Sequence, residues 1–448
     1  MTATLLRAAQ IVALDDHDRI YAPGYLVVED DLIAEIGSQD RLGRRRFDVE
    51  LDMGSRLLMP GLINAHTHTP MVLFRGRAEG HSLFSLEGWY HTIRVVEEVM
   101  DPDMIGAAVA VSCAEMIRTG TTCFADQYFW MEQIVPVVRT SGLRAALAYG
   151  IVELGDEVAR TREVAAAAAF LEGLQADPLL RGWVGPHAFF VDNSEAAMRL
   201  EVALAGQFNT GLHVHLGTSG EEDRYCQAHY GRSAVQQLKE MGVLDRRLLA
   251  AHCLTVPETD FGLLAEHPFT AVVAASSCMR NAAGVAPLPA MRAAGINTAL
   301  STDNVANNNS YDMFKEMQLT GKLMSLWQRT PNAIATRDIL EMATLGGARA
   351  LGLEREIGSL EAGKKADLIS LDLEEIGWTP AGGQDVYTAL VYSVSGMHVR
   401  DVMVNGRWLY RNNTWTTLDY ARSRAELETA WRQLAERLPA RGEADYNE

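Results

Sequence analysis

Between residues 60 and 353 the chain alternates short apolar runs, each ending in polar residues, with long Ala- and Leu-rich stretches at helical spacing. A strand that is always followed by a helix cannot pair with its neighbour through a hairpin, so the repeat demands a parallel sheet with helices outside it. Strands are expected at 61–65, 121–125, 144–151, 182–186, 211–215, 248–252, 269–275 and 296–302. Eight such units suit an α/β fold of the closed (β/α)8 TIM-barrel type. Up to residue 58, and again at 366–373 and 399–409, the rhythm is that of β-strands without intervening helices. The two chain ends are therefore expected to form one small composite β-sandwich, from 1–58 and 358–415, around a barrel at 59–357. Residues 416–448 are left for a C-terminal helix, at 421–438, and a tail.

Charge narrows the partners. The 58 acidic against 40 basic residues give a net charge of −18, which repels nucleic acid and anionic membrane surfaces and suits a neutral or cationic small molecule. No apolar run approaches the ~18 residues of a membrane span, and the first residues lack the basic start and apolar run of a secretory signal. Five cysteines, Cys113, Cys123, Cys226, Cys253 and Cys278, show no C-x-x-C spacing, so reduced thiols and a cytoplasmic location are expected. A homo-oligomer, dimer or higher, is expected as well.

The strand ends carry the chemistry, because in a (β/α) barrel all of them open into one mouth. His66 and His68 close the first expected strand, and at i and i+2 on extended backbone both imidazoles lie on one face. His215 closes the fifth strand, His252 the sixth, and Asp303 follows the eighth. One histidine at a strand end is usually a hydrogen-bonded structural residue; five potential ligands from four strands at one mouth point to a metal. Imidazole and carboxylate suit zinc, with iron, cobalt or manganese as alternatives. Barrels that hold two ions commonly need a bridging carboxylate, often a carbamylated lysine on a middle strand, and the first lysine here is Lys239, so one ion is expected. Such an ion lowers the pKa of a water toward ~7 for attack on an electrophilic carbon. Asp303 is expected to shuttle the proton, with His252 as its catalytic companion.

Five segments together resemble the amidohydrolase superfamily: Pro60-Gly61-Leu62-Ile63-Asn64-Ala65-His66-Thr67-His68, Leu212-His213-Val214-His215-Leu216, Ala251-His252-Cys253, Ser301-Thr302-Asp303-Asn304, and Gly358-Ser359-Leu360-Glu361-Ala362-Gly363-Lys364-Lys365-Ala366-Asp367-Leu368. Within it the chain is most similar to the S-adenosylhomocysteine/methylthioadenosine deaminases and the atrazine chlorohydrolase type of s-triazine hydrolase. The resemblance implies the barrel, the composite sandwich, one divalent ion, and hydrolytic removal of an amine or halide from a nitrogen heterocycle. It places His66, His68, His215, His252 and Asp303 on metal positions, His187 on a substrate-contacting position, and His213 beside the metal shell. Asn308 and Ser310 are expected to cap the helix after the eighth strand.

Two departures bear on the substrate. Deaminases of this branch place a glutamate three residues after the fifth-strand ligand, where it protonates a ring nitrogen; here Thr218 stands there, with Glu221 and Glu222 following at an expected helix start. After the seventh strand, Ala275-Ser276-Ser277-Cys278 has no histidine where those deaminases carry one. Substrates that need less activation then gain weight: a urea, carbamate or amide, or an aminated or chlorinated N-heterocycle. The alternative is a purine- or pterin-type deaminase in which Glu221 or Glu222 replaces the missing acid; an inactive metal-binding scaffold is the third. Met71, Phe74, Trp89, Tyr90, Tyr128, Phe129, Trp130 and Phe189 are expected as a group to supply an apolar pocket. Trp89, Tyr128, His187, Thr218 and Ser276 are the residues expected to face the substrate.

Overall fold

A computed structural model describes residues 2–438. Its central sheet has eight parallel strands, β1 (Leu62–Thr67), β2 (Thr121–Tyr128), β3 (Arg144–Ile151), β4 (Leu180–Pro186), β5 (Leu212–Leu216), β6 (Leu248–His252), β7 (Phe269–Val273) and β8 (Asn297–Leu300), each paired with the next in chain order. The sheet closes on itself just beyond β8, where Thr67 and Asp303 form a bridge and the Asp303 amide donates to the His66 carbonyl at 3.1 Å. The fold is a (β/α)8 barrel. Its strands read as nearly continuous apolar runs because both faces are covered; every residue of β1 and β2 is buried.

The outer helices begin where short polar side chains satisfy their first amides: Asp156 ahead of Glu157–Leu174, Ser194 ahead of Glu195–Gln207, and Asp312 ahead of Met313–Gln328. The last corrects the expectation for Asn308 and Ser310. Both act upstream of the helix, Asn308 Oδ1 accepting from the Ser310 amide (2.6 Å) and Ser310 Oγ from the Asp312 amide (3.2 Å), so they shape the turn that delivers the cap.

The two chain ends build two sheets. One has four strands in the order Leu32–Ser38, Gly24–Glu29, Ala3–Ala8, Val49–Asp52. In the other, of seven strands, Arg56–Pro60 pairs antiparallel with Leu368–Asp372, which in turn pairs with Val399–Val404. The sandwich is bolted to the barrel by a buried ion pair, Arg144 Nε of β3 to Asp367 Oδ2 at 2.9 Å. Asp367 Oδ1 also accepts from Arg144 Nη2 (3.2 Å) and from the Asn405 amide (2.7 Å). A final helix, Tyr420–Arg437, packs on Ile105–Arg118. Among the described residues no helix is long and apolar enough to cross a membrane.

One region departs from the strand–helix rhythm. Between β1 and Ile105–Arg118 the chain runs as short turns, Thr69–Phe74, Leu86–Trp89, Tyr90–Arg94 and Val95–Glu97, the third a π-helical turn. This strap lies across the barrel mouth: the Phe84 ring sits 4.4 Å from that of His252, and the Leu83 amide donates to Asn281 Oδ1 at 2.5 Å.

Candidate active site and metal centre

At the end of β1, His66 and His68 face the barrel axis and are buried, 0% and 5% exposed. The turn that carries them is held by Asp126 of β2, whose carboxylate accepts from Thr67 Oγ (2.8 Å), the Thr69 amide (2.8 Å) and Thr69 Oγ (2.6 Å). His68 Nδ1 donates to the Gln127 carbonyl at 2.7 Å, and His215 Nδ1 to the His187 carbonyl at 2.9 Å. Each bond commits one ring nitrogen as a donor and leaves Nε2 as a lone-pair ligand. His66 Nδ1 lies 2.7 Å from His213 Nε2, and its own Nε2 is buried without a hydrogen-bond partner.

Asp303 lies opposite. Its Oδ1 is 3.5 Å from His66 Nε2 and 3.7 Å from His68 Nε2, while Ser277 Oγ donates to Oδ2 at 2.5 Å and Asn304 Nδ2 to Oδ1 at 3.0 Å. Burial opposes its ionisation, but the His66, His252 and His68 rings around it hold the carboxyl well below the usual range. Burial, reinforced by His66, pushes His68 down to about 3; burial pushes His252 down to about 4 and His215 well below its ordinary value. Neutral imidazoles around one carboxylate are the protonation states a divalent cation requires.

The donor atoms of two groups, His66, His215, His252 and His66, His68, Asp303, lie within 4.8 Å of one another. They share His66, whose unpartnered Nε2 is a buried polar atom that a ligated ion would satisfy. The residues therefore fit one ion. His252 differs from the other histidines in that its Nδ1 has no partner. His252 and Asp303 also hold left-handed backbone, φ +79° and +58°, a strain that recurs where function fixes a side chain.

Above the site is a cavity walled by Met71, Leu83, Phe84, Trp89, Ile93 and Val191, with Tyr128, His187, Thr218, Glu97, Glu221, Asp303 and Asn304 as its polar groups. Of the residues expected to face the substrate, Trp89, Tyr128, His187 and Thr218 line this cavity. Ser276 does not: its amide (3.1 Å) and its hydroxyl both donate to Glu316, because 275–280 is a short helix that turns Ser276 toward Glu316 and Ser277 toward Asp303. Of the aromatic group, Tyr90 is 51% exposed, and Phe74, Phe129, Trp130 and Phe189 do not line the cavity. The two glutamates separate. Glu221 lines the cavity beside Thr218, whereas Glu222 is buried and accepts from the Gly217 amide; burial pushes it up to about 8.

Sequence reasoning missed several groups. Glu97 lines the cavity; burial, offset in part by Tyr128 and by Arg94 at 3.6 Å, pushes it up to about 7. Its signal was hidden in a charged stretch, 94–98, that looks like a solvated helix face. Asp192 accepts from His187 Nδ1 at 2.5 Å and so leaves Nε2 as that ring's available nitrogen. Asp126 and Gln127 fall one and two residues beyond the expected end of β2, which runs to Tyr128.

The comparisons agree with this geometry. The chain is 33% identical over 443 residues to the 5'-deoxyadenosine deaminase of Methanosarcina barkeri, covering 98% of this chain and all of that one. It is 35% identical over 402 residues to the 5-methylthioadenosine/S-adenosylhomocysteine deaminase of Moorella thermoacetica, covering 89% and 92%. In fold it matches a zinc-bound adenosine deaminase from Xanthomonas campestris with a TM-score of 0.91 at 28% identity, covering 97% and 99%. A zinc complex of atrazine chlorohydrolase from Arthrobacter aurescens matches at 0.87 and 21% identity, covering 96% and 100%, a likeness of fold alone. Residues 57–409 match the model of the amidohydrolase family, and with relatives of this identity along nearly its whole length the chain belongs to that family.

Proposed function

We propose that the chain is a hydrolase of carbon–nitrogen bonds that releases ammonia from a neutral, amino-substituted nitrogen heterocycle of the adenosine type. One observation carries the choice of deamination: Glu221 stands on the cavity wall beside Thr218, so the carboxyl absent three residues after His215 is present from the next turn of chain. The deaminase names of the full-length relatives support the same reading.

His66, His68, His215 and Asp303 would hold the divalent ion, with His252 in reach of the same donor cluster. When bound it supplies Lewis-acid polarisation and a water of lowered pKa, and zinc is the ion proposed. The chain does the rest. Asp303, kept ionised, accepts the proton of the attacking water and passes it toward the leaving amine. Glu221 donates to the ring nitrogen, which makes the amino-bearing carbon electrophilic. His187, with Nδ1 held by Asp192, offers Nε2 to a heteroatom of the ring. Trp89, Phe84, Ile93 and Met71 exclude water and cover the planar ligand.

The lining contains Glu97, Glu221 and Asp303 and no lysine or arginine. A carboxylate or phosphate on the substrate would meet carboxyl side chains and no lysine or arginine to pair with, so 5'-deoxyadenosine and methylthioadenosine are favoured over S-adenosylhomocysteine and nucleotides. Five buried, unbridged cysteines support the cytoplasmic location, and a homo-oligomer remains part of the proposal.

Ammonia release from these four probe classes, with an amino- and a chlorotriazine and a phenylurea alongside, tests the reading. Glu221→Gln is expected to lower kcat by about 10²–10⁴, the range of a lost acid catalyst, and Glu222→Gln to leave it within a few-fold. Full activity of Glu221→Gln, or turnover of the triazine or urea alone, would overturn the deaminase assignment.

A further inference from the structure

β5 carries two histidines, not one. In Leu212-His213-Val214-His215-Leu216 both imidazoles point into the barrel, and two residues of extended chain set His213 about 6.6 Å deeper than His215. That depth takes His213 out of the donor layer and brings it under His66. His213 is 1% exposed, and its Nε2 is 2.7 Å from His66 Nδ1, the shortest distance that links His66 to another ring nitrogen. Its backbone is fixed too, the carbonyl accepting from Gln127 Nε2 at 2.6 Å, while the Gln127 carbonyl accepts from His68 Nδ1.

His66 has two nitrogens and no backbone carbonyl to commit one of them, unlike His68 and His215. A neutral imidazole carries one N–H and one lone pair. With the lone pair of His66 on Nε2, toward Asp303 and the other donors, Nδ1 must carry the hydrogen, and the atom in front of it is His213 Nε2.

We infer that His213 is a positioning residue for the metal centre: by accepting a hydrogen bond from His66 Nδ1 it fixes the tautomer and ring orientation that present His66 Nε2 to the ion. The inference rests on the metal-centre part of the proposed function and not on the identity of the substrate. A carbonyl usually does this work, so an imidazole acceptor here makes ion affinity depend on one replaceable side chain.

Zinc affinity of the refolded apoprotein, read by competition with a chromogenic chelator, tests it. His213→Leu, which fills the space without an acceptor, is expected to bind zinc 10–100-fold more weakly, and His213→Gln, whose Oε1 can accept from His66, to recover most of that loss. A Leu variant that is folded and binds zinc as the unaltered protein does would overturn the inference, as would Gln and Leu variants equally weakened. Should the Leu variant fail to fold, ring ¹⁵N correlations of the unaltered zinc-loaded protein decide. Expected is His66 ligated through Nε2 with its hydrogen on Nδ1; ligation through Nδ1, or an N–H at His213 Nε2, would overturn the inference. These readouts need no turnover, so an inactive protein with the expected zinc affinities would count against the substrate reading alone.

Discussion

Asp126 shows how far a single side chain can reach into the site without touching it. Its three acceptor contacts all go to donors on Thr67 and Thr69, the residues that flank His68. A carboxylate offers lone pairs on both oxygens, whereas an asparagine would turn an NH2 group toward one of the threonine donors. Asp126→Asn is therefore expected to lower stability by about 1–3 kcal/mol in urea unfolding of the chelated protein, the cost of a buried donor left unsatisfied. An unchanged midpoint would show that the turn holds itself. At this scale the sequence was informative only where chemistry and strand period coincide. His66, His68, His215, His252 and Asp303 stand at strand ends and could be named; Glu97, Asp126 and Asp192 could not, because what they touch comes from other parts of the chain. The exchange of Ser276 for Ser277 is a phase error of one residue. A helical turn at 275–280, directly after the expected end of the seventh strand, sets Ser276 toward Glu316 and Ser277 toward Asp303.

At the scale of elements, all eight barrel strands were legible, because a strand covered on both faces is an apolar run whatever its neighbours. The strap at 69–104 was not; its short and π-helical turns follow no single period, and its shape is set by what it covers. The role of Asp367 was hidden for a related reason. It lies in the late segment that supports the family resemblance, far in sequence from the strand it serves, and its bidentate pair with Arg144 joins the sandwich to β3. Asp367→Ala would leave a buried guanidinium without its counter-charge. A loss of about 3–5 kcal/mol in denaturant unfolding is expected, with the metal site unchanged in the folded fraction. A loss under 1 kcal/mol would show that Glu356, 3.9 Å from Arg144, takes over the charge.

For the molecule as a whole, the buried titratable groups set a pH profile. His68, His213, His215 and His252 have depressed values, so the unfolded chain takes up their protons first and stability falls as pH drops below about 6.5. Glu97, Glu222 and Glu316 are raised, to about 7, 8 and 7, so the native state keeps protons that the unfolded chain releases above the ordinary glutamate value of 4.5. The two sets oppose each other between 4.5 and 6.5; above that the raised carboxyls act, and His187, raised beside Asp192, adds to them in the same direction. Thermal melts of the chelated protein should therefore fall as pH rises from about 6.5 to about 8.5, and Glu222→Gln should flatten the fall. A melting temperature that climbs across that window would contradict the assignment. The seam of the barrel adds a last consequence. Its first and last strands meet through Thr67 and Asp303, and Asp303 is at once the hinge pin of that closure and a member of a group of side chains that could hold an ion. Loading the centre would therefore act as a clasp on the whole cylinder, tying catalytic competence to the integrity of the ring itself.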